Sequence, residues 1–266
     1  MQLTGPEILK RMKEANANNP NGKPDIIITP FDERCLGSNS YDLHLGDTLK
    51  VYKHTIPSGM KPAIEYKGEP YLHRMQDWFE EPMMHERFRG AVEIPRGVKM
   101  VPADYHYQEY LQNPDKYDIR NPKYLIDPTN PKHHETIDLK IPETGLILSP
   151  CIGYLGATIE YTETRNLFPY MDGKSSIGRN FMLVHHTAGR GDDGFCGQWT
   201  LEISVLNPTV VYPYMRIGQI YYEEFIGERK PYNINKSSHY NGQMGATPAV
   251  PVPVDTFLKG AKQRTK

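Results

Sequence analysis

Neither sign of charge dominates this chain: 31 Lys and Arg stand against 32 Asp and Glu in 266 residues, a formal charge of −1. Without a net field to draw it to polyanions or acidic lipid, a wrapping nucleic-acid binder is excluded as a class, and no membrane role is expected. Long hydrophobic runs are missing as well. Nothing approaches the roughly 18 to 20 apolar residues of a spanning helix, and MQLTGPEILKRMKEANANN lacks the apolar stretch of a secretory leader. A cytoplasmic protein is expected, in the host cytoplasm if the source is viral. Cysteine is scarce too. Cys35, Cys151 and Cys196 lie far apart and form no CxxC pair, which excludes a disulfide framework and a zinc ribbon. The zinc-dependent nucleobase deaminases are excluded with them, because their H-x-E and P-C-x-x-C ligands have no counterpart. His133-His134 and His185-His186 are adjacent pairs, and neighbours on a strand point to opposite sides. No zinc, and no metal held by protein side chains, is expected.

What the chain has is 38% hydrophobic residues, enough for a core, with 22 Gly and 23 Pro implying many turns and short elements. Residues 6–16 (PEILKRMKEAN) place Ile8, Leu9 and Met12 on one helical face behind Pro6, and predict one short amphipathic helix. DIIITPF reads as a strand. In CLGSNSYDLHLGDTLKVYK, Tyr41, Leu43 and Leu45 alternate with Asp42 and His44 before Gly46-Asp47, a hairpin-like pattern. Residues 54–122 lose this periodicity apart from a possible helix at 71–81, and read as an insertion. From TIDLKIP onward, GLILSP, CIGYLGATIEYTE, LFPYMDG, FMLVHH, WTLEISVLN, TVVYPY and IGQIYYEEF follow with Gly, Pro or Asn between them, the rhythm of an all-β barrel or sandwich. The tail 231–266 is rich in Ser, Asn, Gly, Pro and Lys and predicts a mobile arm, ordered only by a partner or ligand. The chain is thus expected to be a single domain, 1–266, with an insertion and an arm.

Two segments could carry chemistry. MDGKSSIGRNF (171–181) gathers Lys174, Ser175, Ser176 and Arg179 on a turn between Gly173 and Gly178; backbone N–H groups, hydroxyls and two cations suit a polyphosphate. It is not a Walker A loop, and a plain polar surface turn has the same composition. In HHTAGRGDDGFCGQWTLEI (185–203), a Gly-rich connection holding Asp192 and Asp193 leads into a strand carrying Glu202. A carboxylate among apolar neighbours is a candidate general acid/base. The alternation of Leu201, Ile203 and Val205 equally allows an outward-facing strand Glu.

Taken in order, GKSSIGR (173–179), TAG-x-x-D-x-GF-x-G (187–197) with TLE (200–202), RIGQ (216–219) and HYNGQMGATP (239–248) resemble the dCTP deaminases of the trimeric dUTPase superfamily. GSNSYDLHLG (37–46) and the stretch from Tyr124 through IDLKIPETGLILSP are similar as well. The likeness covers about 190 to 200 residues and omits 54–122. It implies a mainly-β, distorted β-barrel or jelly-roll-like dUTPase-type subunit with a short N-terminal helix. It further implies a homotrimer with active sites at subunit interfaces, each closed by the C-terminal arm. On the same resemblance, Lys174, Ser175, Ser176, Ile177, Gly178 and Arg179 surround the triphosphate, with Mg²⁺ bridging phosphate oxygens. Gln219, Tyr232, His239 and Gln243 complete that pocket, Asp192 touches the deoxyribose and the reaction centre, and the backbone at Thr200 and Leu201 reads the pyrimidine. Glu202 shuttles protons for a water that Ser175 and the Ala188 carbonyl position.

The TAG string, the GKSSIGR form and the GQMGATP arm resemble the dUMP-forming branch, which also releases pyrophosphate. Three alternatives stand beside it: a deaminase that stops at dUTP, a dUTPase alone, and a dNTP-sensing regulator whose contact surface is the insertion. Two positions depart from the family. Gly191 replaces a bulky apolar residue, predicting a looser loop over 189–194, and His239 replaces a Lys, exchanging a permanent cation for a titrating one.

Overall fold

Strand-forming residues concentrate in the second half of the chain, and the sheets form mostly there. The structure, a computed structural model, describes residues 1–53, 62–66, 69–72, 126–148, 153–207, 209–232 and 238–253. Its contacts define two units, Met1–Val51 with Thr136–Val250, and Tyr52–Glu135 with Pro251–Lys266.

The first unit opens with α1 (Gly5–Lys13). The Thr4 hydroxyl caps it by accepting the Glu7 N–H at 3.4 Å, Pro6 sits in the first turn where no N–H is needed, and Lys10, Arg11 and Lys13 face the negative end of the dipole. Ile8 is fully buried, while Leu9 and Met12 are half-buried. The helix ends short of residue 16, because Glu14 is already extended.

Strands β1 (Ile26–Thr29), β2 (Tyr41–His44) and β3 (Thr48–Tyr52) follow. In the second unit, β4 (Pro62–Tyr66) and β5 (Glu69–Leu72) pair antiparallel. Then come β6 (Thr136–Lys140), β7 (Leu146–Leu148), β8 (Tyr154–Thr164) and β9 (Phe168–Gly173). After the single-turn helix α2 (Ser175–Gly178) come β10 (Met182–Leu183), β11 (Cys196–Val205), β12 (Thr209–Val211) and β13 (Arg216–Glu223). One sheet runs β10-β11-β8-β3-β6 with β1 also on β8, a second runs β2-β13-β9, and β7 pairs with β12. This is the mainly-β class expected from the turn spacing. Leu43, Leu45, Leu49, Val51, Leu148, Leu201, Ile203, Ile217 and Ile220, all fully buried, fill its core.

The hairpin expected across Gly46-Asp47 does not form. β2 pairs with β13, and β3 pairs with β8 and β6, so the turn passes the chain from one sheet to the other. Alternation in a sequence reports a buried face and says nothing about the partner strand. The turn is held by the Asp47 carboxylate, which accepts from Lys140, from Thr48 Oγ1 at 2.9 Å and from the Tyr214 hydroxyl at 2.9 Å. Neither histidine pair lies on a strand: His133-His134 ends a 3-10 turn, and His185-His186 follows β10. The possible helix at 71–81 begins inside β5, and its remaining residues lie outside the described ones.

β8 is the central strand, flanked by β1, β3 and β11, and it buries polar residues that a sheet centre would normally refuse. Most have a partner, as burial requires, although the Thr164 hydroxyl at the end of the strand has none among the described residues. Glu160 accepts from the His44 backbone N–H at 3.0 Å and contacts His44 Nδ1 at 2.5 Å, while the Thr162 hydroxyl accepts from Trp199 Nε1 at 3.0 Å. The largest such cluster surrounds Asp25, which is 3% exposed. Its carboxylate receives Arg11 Nη1 and the amides of Asn16 and Asn19 at 2.9 Å each, and that of Asn166 at 2.5 Å. Burial pushes this carboxyl up, but the hydrogen bonds from Asn166, Asn19, Asn16 and Arg11 outweigh it and hold it below its ordinary 3.8.

Replacing Asp25 with Ala is expected to lower unfolding free energy by about 2 to 4 kcal/mol in urea titrations, because Arg11 and three amides lose their acceptor. A depressed carboxyl stabilises fully above its unfolded value and loses that contribution as pH falls through the folded one. Stability of the native protein should therefore decline below pH 3.8 more steeply than that of Asp25→Asn.

Candidate functional site

Two groups of the sequence-selected residues form on one side of β9 and on the edge of β11. The first is the turn after β9. Lys174 caps α2 in an extended conformation, Ile177 is pegged into the core at 6% exposure, and Ser175, Ser176, Gly178 and Arg179 are left exposed. No side chain caps this helical turn, so its leading N–H groups face outward. Lys174 Nζ is ion-paired to Asp42, which also receives Arg216 Nη1 at 3.3 Å. Gln219 donates to the Gly173 carbonyl at 3.5 Å and accepts from the Ser40 hydroxyl at 3.2 Å. Ser40, Asp42 and Arg216 escaped the sequence reading as site residues. For Ser40 and Asp42 the signal was the polar half of the SNSYDLHLG alternation, opposite Tyr41, Leu43 and Leu45; Arg216 opens the RIGQ string.

The second group lies along β11. Gly197, Trp199, Leu201, Ile203 and Val205 face the core, and Gln198, Thr200, Glu202 and Ser204 the other side. Glu202 is half-exposed, and its Oε2 accepts the His186 N–H at 2.9 Å. The backbone alternates as the side chains do. Gln198 N–H donates to the Gln243 carbonyl at 3.0 Å and Glu202 N–H to the Val184 carbonyl at 2.9 Å, both away from β8. Thr200 stands between them with the same parity, so its N–H and C=O open into a gap in the strand edge. Leu201 has the opposite parity: its side chain is fully buried and its backbone is turned to Gly156 of β8.

One wall of that gap is the C-terminal segment. Its composition predicted an arm without a packed face, yet 238–250 is laid along β11 by polar contacts. Gly242 N–H donates to the Cys196 carbonyl at 2.7 Å, Gln243 Nε2 to the Gln198 carbonyl at 2.7 Å, and Thr247 N–H to the Thr200 hydroxyl at 3.1 Å. Tyr232 accepts the Tyr240 N–H at its hydroxyl at 3.2 Å. His239 is exposed beside the Tyr240 ring. Backbone hydrogen bonding to a strand edge needs no apolar periodicity, which is why the sequence did not announce it.

In the loop between β10 and β11, Ala188 and Asp192 are exposed, whereas Asp193 is 5% exposed. The loop is not loosened at Gly191. That residue is buried, its N–H donates to the Pro169 carbonyl at 2.9 Å, and a Cβ there would lie 2.4 Å from Trp199 Cη2 and 2.9 Å from Pro169 Cγ. The Trp199 ring takes the room that a bulky residue at 191 would need. The two groups meet at β9, where His185 Nε2 lies 3.2 Å from Asp172 Oδ1 and Met171 N–H donates to the Gly189 carbonyl. Among the described residues no hydrogen bond or ion pair joins Lys174, Ser175, Ser176 or Arg179 to Glu202, Asp192 or Gln243, and no cluster of three His, Cys, Asp or Glu could hold a cation.

A dCTP deaminase, dUMP-forming, of Leptospira biflexa is 46% identical over 250 residues, 94% of this chain and 95% of that protein. The chain belongs to the dCTP deaminase family. The model of the dCTP deaminase-like family matches residues 104–225, so its match begins within the segment read as an insertion. A dUMP-forming family member of Clostridium botulinum is 33% identical over 91% of the chain, and one of Cytophaga hutchinsonii is 43% identical over 51%. The Leptospira alignment leaves too few residues outside it to omit 54–122. The solved 2'-deoxycytidine 5'-triphosphate deaminase of Agrobacterium tumefaciens matches 83% of this chain and 47% of its own, at a TM-score of 0.40 and 16% identity.

The Gly191–Trp199 contact gives a paired expectation. Gly191→Ile should cost about 1 to 3 kcal/mol by overpacking, read as a lowered Tm, and Trp199→Val in the same chain should restore most of the loss. Additive losses in the double variant would show that the two residues do not share one space.

Proposed function

We propose that this protein converts dCTP to dUMP with release of ammonia and pyrophosphate; its relatives carry the name dCTP deaminase, dUMP-forming. The observation that carries this reading is the edge of β11, where Thr200 turns its N–H and C=O away from β8, between the covered stretches at Gln198 and Glu202 and beside the half-exposed carboxylate of Glu202. A cytosine offers a complementary donor and acceptor edge, and a carboxylate at that place can reach its C4 substituent. Glu202 takes a proton from water as the oxygen bonds C4, delivers protons to N3 and the amino group, and ammonia leaves as the carbonyl of uracil forms. Ser175 and the Ala188 carbonyl orient that water, an effect that contributes through positioning. A second water then attacks the α-phosphorus, oriented by Asp192, and pyrophosphate departs.

The phosphates would be held by Lys174, Ser175, Ser176 and Arg179 on the turn that Ile177 and Gly178 complete, whose own N–H groups donate to the Lys174 carbonyl, and by Gln219, Tyr232, His239 and Gln243. Mg²⁺, when bound, would neutralise phosphate oxygens and complete its shell with water, which suits a site without a converging carboxylate cluster. The phosphate turn and Glu202 share no direct contact in one chain, and Phe181, Leu183 and Leu206 beside the turn are 54 to 72% exposed. Both features support a homotrimer in which one subunit's turn serves its neighbour's β11, with the arm 231–266 closing the site. The balanced charge and the absence, among described residues, of a helix long and apolar enough to cross a membrane suit a cytoplasmic enzyme.

Incubation with dCTP and Mg²⁺ followed by nucleotide separation tests this directly: dUMP with pyrophosphate is expected, and the absence of ammonia release would overturn it. Glu202→Gln should abolish ammonia release while dCTP affinity, measured by calorimetry, stays within about threefold. Arg179→Ala should weaken triphosphate binding by about 1.5 to 3 kcal/mol with Tm unchanged, since it is exposed and acts through charge-assisted hydrogen bonds.

A further inference from the structure

We propose that Asp193, the buried neighbour of Asp192, is a positioning residue that locks the root of the C-terminal arm to the loop and thereby decides how much dUTP escapes before its hydrolysis. This rests on the reading above, in which dUTP is the intermediate and the arm covers it.

Adjacent carboxylates here have opposite fates. Asp192 is exposed, and its carbonyl accepts the Phe195 N–H at 3.1 Å, which closes the loop behind it. The Asp193 side chain turns inward and is used at both oxygens: Oδ1 accepts the Asn166 N–H at 2.8 Å, and Oδ2 receives Arg229 Nη1 at 2.8 Å. Its backbone carbonyl accepts the Tyr232 N–H at 2.6 Å. Arg229 lies just before the arm and Tyr232 is its second residue, so one residue fastens that root twice. Behind it, Asn166 holds a left-handed conformation at φ 61° with its amide on Asp25 and Asn19, which ties the lock to the core. In front of it, the Phe195 ring lies 5.2 Å from Trp199 and 6.4 Å from Tyr232. These contacts tie the loop, the arm root and β11 to one another.

Deamination needs one closure of the arm, whereas reaching dUMP needs the arm to stay closed through a second attack. A contact that slows opening affects the second step more than the first, because opening competes with hydrolysis only while dUTP is bound. Deamination releases ammonia in either case; only the fate of the α–β phosphoanhydride bond differs.

The test is the ratio of free dUTP to dUMP formed from dCTP with Mg²⁺. Asp193→Asn is expected to raise that ratio by about tenfold, the worth of one charge-assisted hydrogen bond. Arg229→Gln, at a side chain 37% exposed and so tolerant of change, should do the same, and the double variant should add little. A core variant in the separate β7–β12 pair, Val211→Ala, lowers stability without touching the lock and should leave the ratio unmoved. An equal fall of ammonia and dUMP at constant ratio in both Asp193→Asn and Arg229→Gln would reduce Asp193 to a structural part and overturn the proposal. A second readout does not depend on the product. In the Glu202→Gln background, dissociation of dCTP should quicken about tenfold with Arg229→Gln, and an unchanged rate overturns the proposal even if the wild-type protein stops at dUTP, an outcome that by itself would refute only the dUMP reading.

Discussion

The carboxylate of Asp25 is the fixed point of this subunit. It is nearly inaccessible, it accepts four hydrogen bonds, and its donors come from α1, from the connection after it and from the turn between β8 and β9. A buried charge is tolerated only when such donors surround it, and here the requirement works in both directions. The carboxylate forces Arg11 and three asparagines into place, and those residues seat the N-terminal helix against β1 and fix the turn at Asn166. Arg11 also reaches Glu224 at 3.2 Å just beyond β13, so the last strand of the barrel is drawn into the same cluster. Asn166 passes the constraint to Asp193 and the loop of the candidate site.

From that point outward, the site depends on an interrupted strand edge. β11 is paired with β8 along most of its length, but its other edge is covered in pieces, by β10 and Val184 at one end and by residues 242–243 at the other. A continuous partner strand would have consumed the backbone donor and acceptor that Thr200 turns away from β8. A fully open edge would invite association through β-pairing. Covering both ends and leaving Thr200 between them gives a short, shaped gap beside Glu202. The exchange of bulk between positions 191 and 199 belongs to the same region: the space beneath the loop is filled from the strand by Trp199 and not from the loop itself.

The turn after β9 shows a different arrangement of charge. Lys174 and Arg216 converge on Asp42, so two cations are held close together with one carboxylate between them. Such an arrangement keeps both side chains oriented without a bound anion, and leaves the turn with a net positive character facing Ser175 and Ser176. The pairing arises from β2 and β13 lying side by side, strands separated by most of the chain.

The sequence by itself determined the class of fold, the short helix and most strand segments, because these follow from local periodicity and turn residues, and it nominated candidate site residues from short strings whose chemistry is local. Glu202 was marked by a carboxylate in an apolar strand, and the turn at 173–179 by its cations and hydroxyls. Only the tertiary structure decided which strands pair, so that the apparent hairpin at 41–52 became a crossing between sheets. It also decided that the polar tail lies on β11, that Asp193 turns inward while Asp192 stays out, that Asp42 and Arg216 join Lys174, and that Gly191 is packed tight. The reason is common to all of these. Each depends on a partner far away in sequence, and alternation or composition at one place is satisfied equally by several partners until the folded chain brings one of them within contact distance.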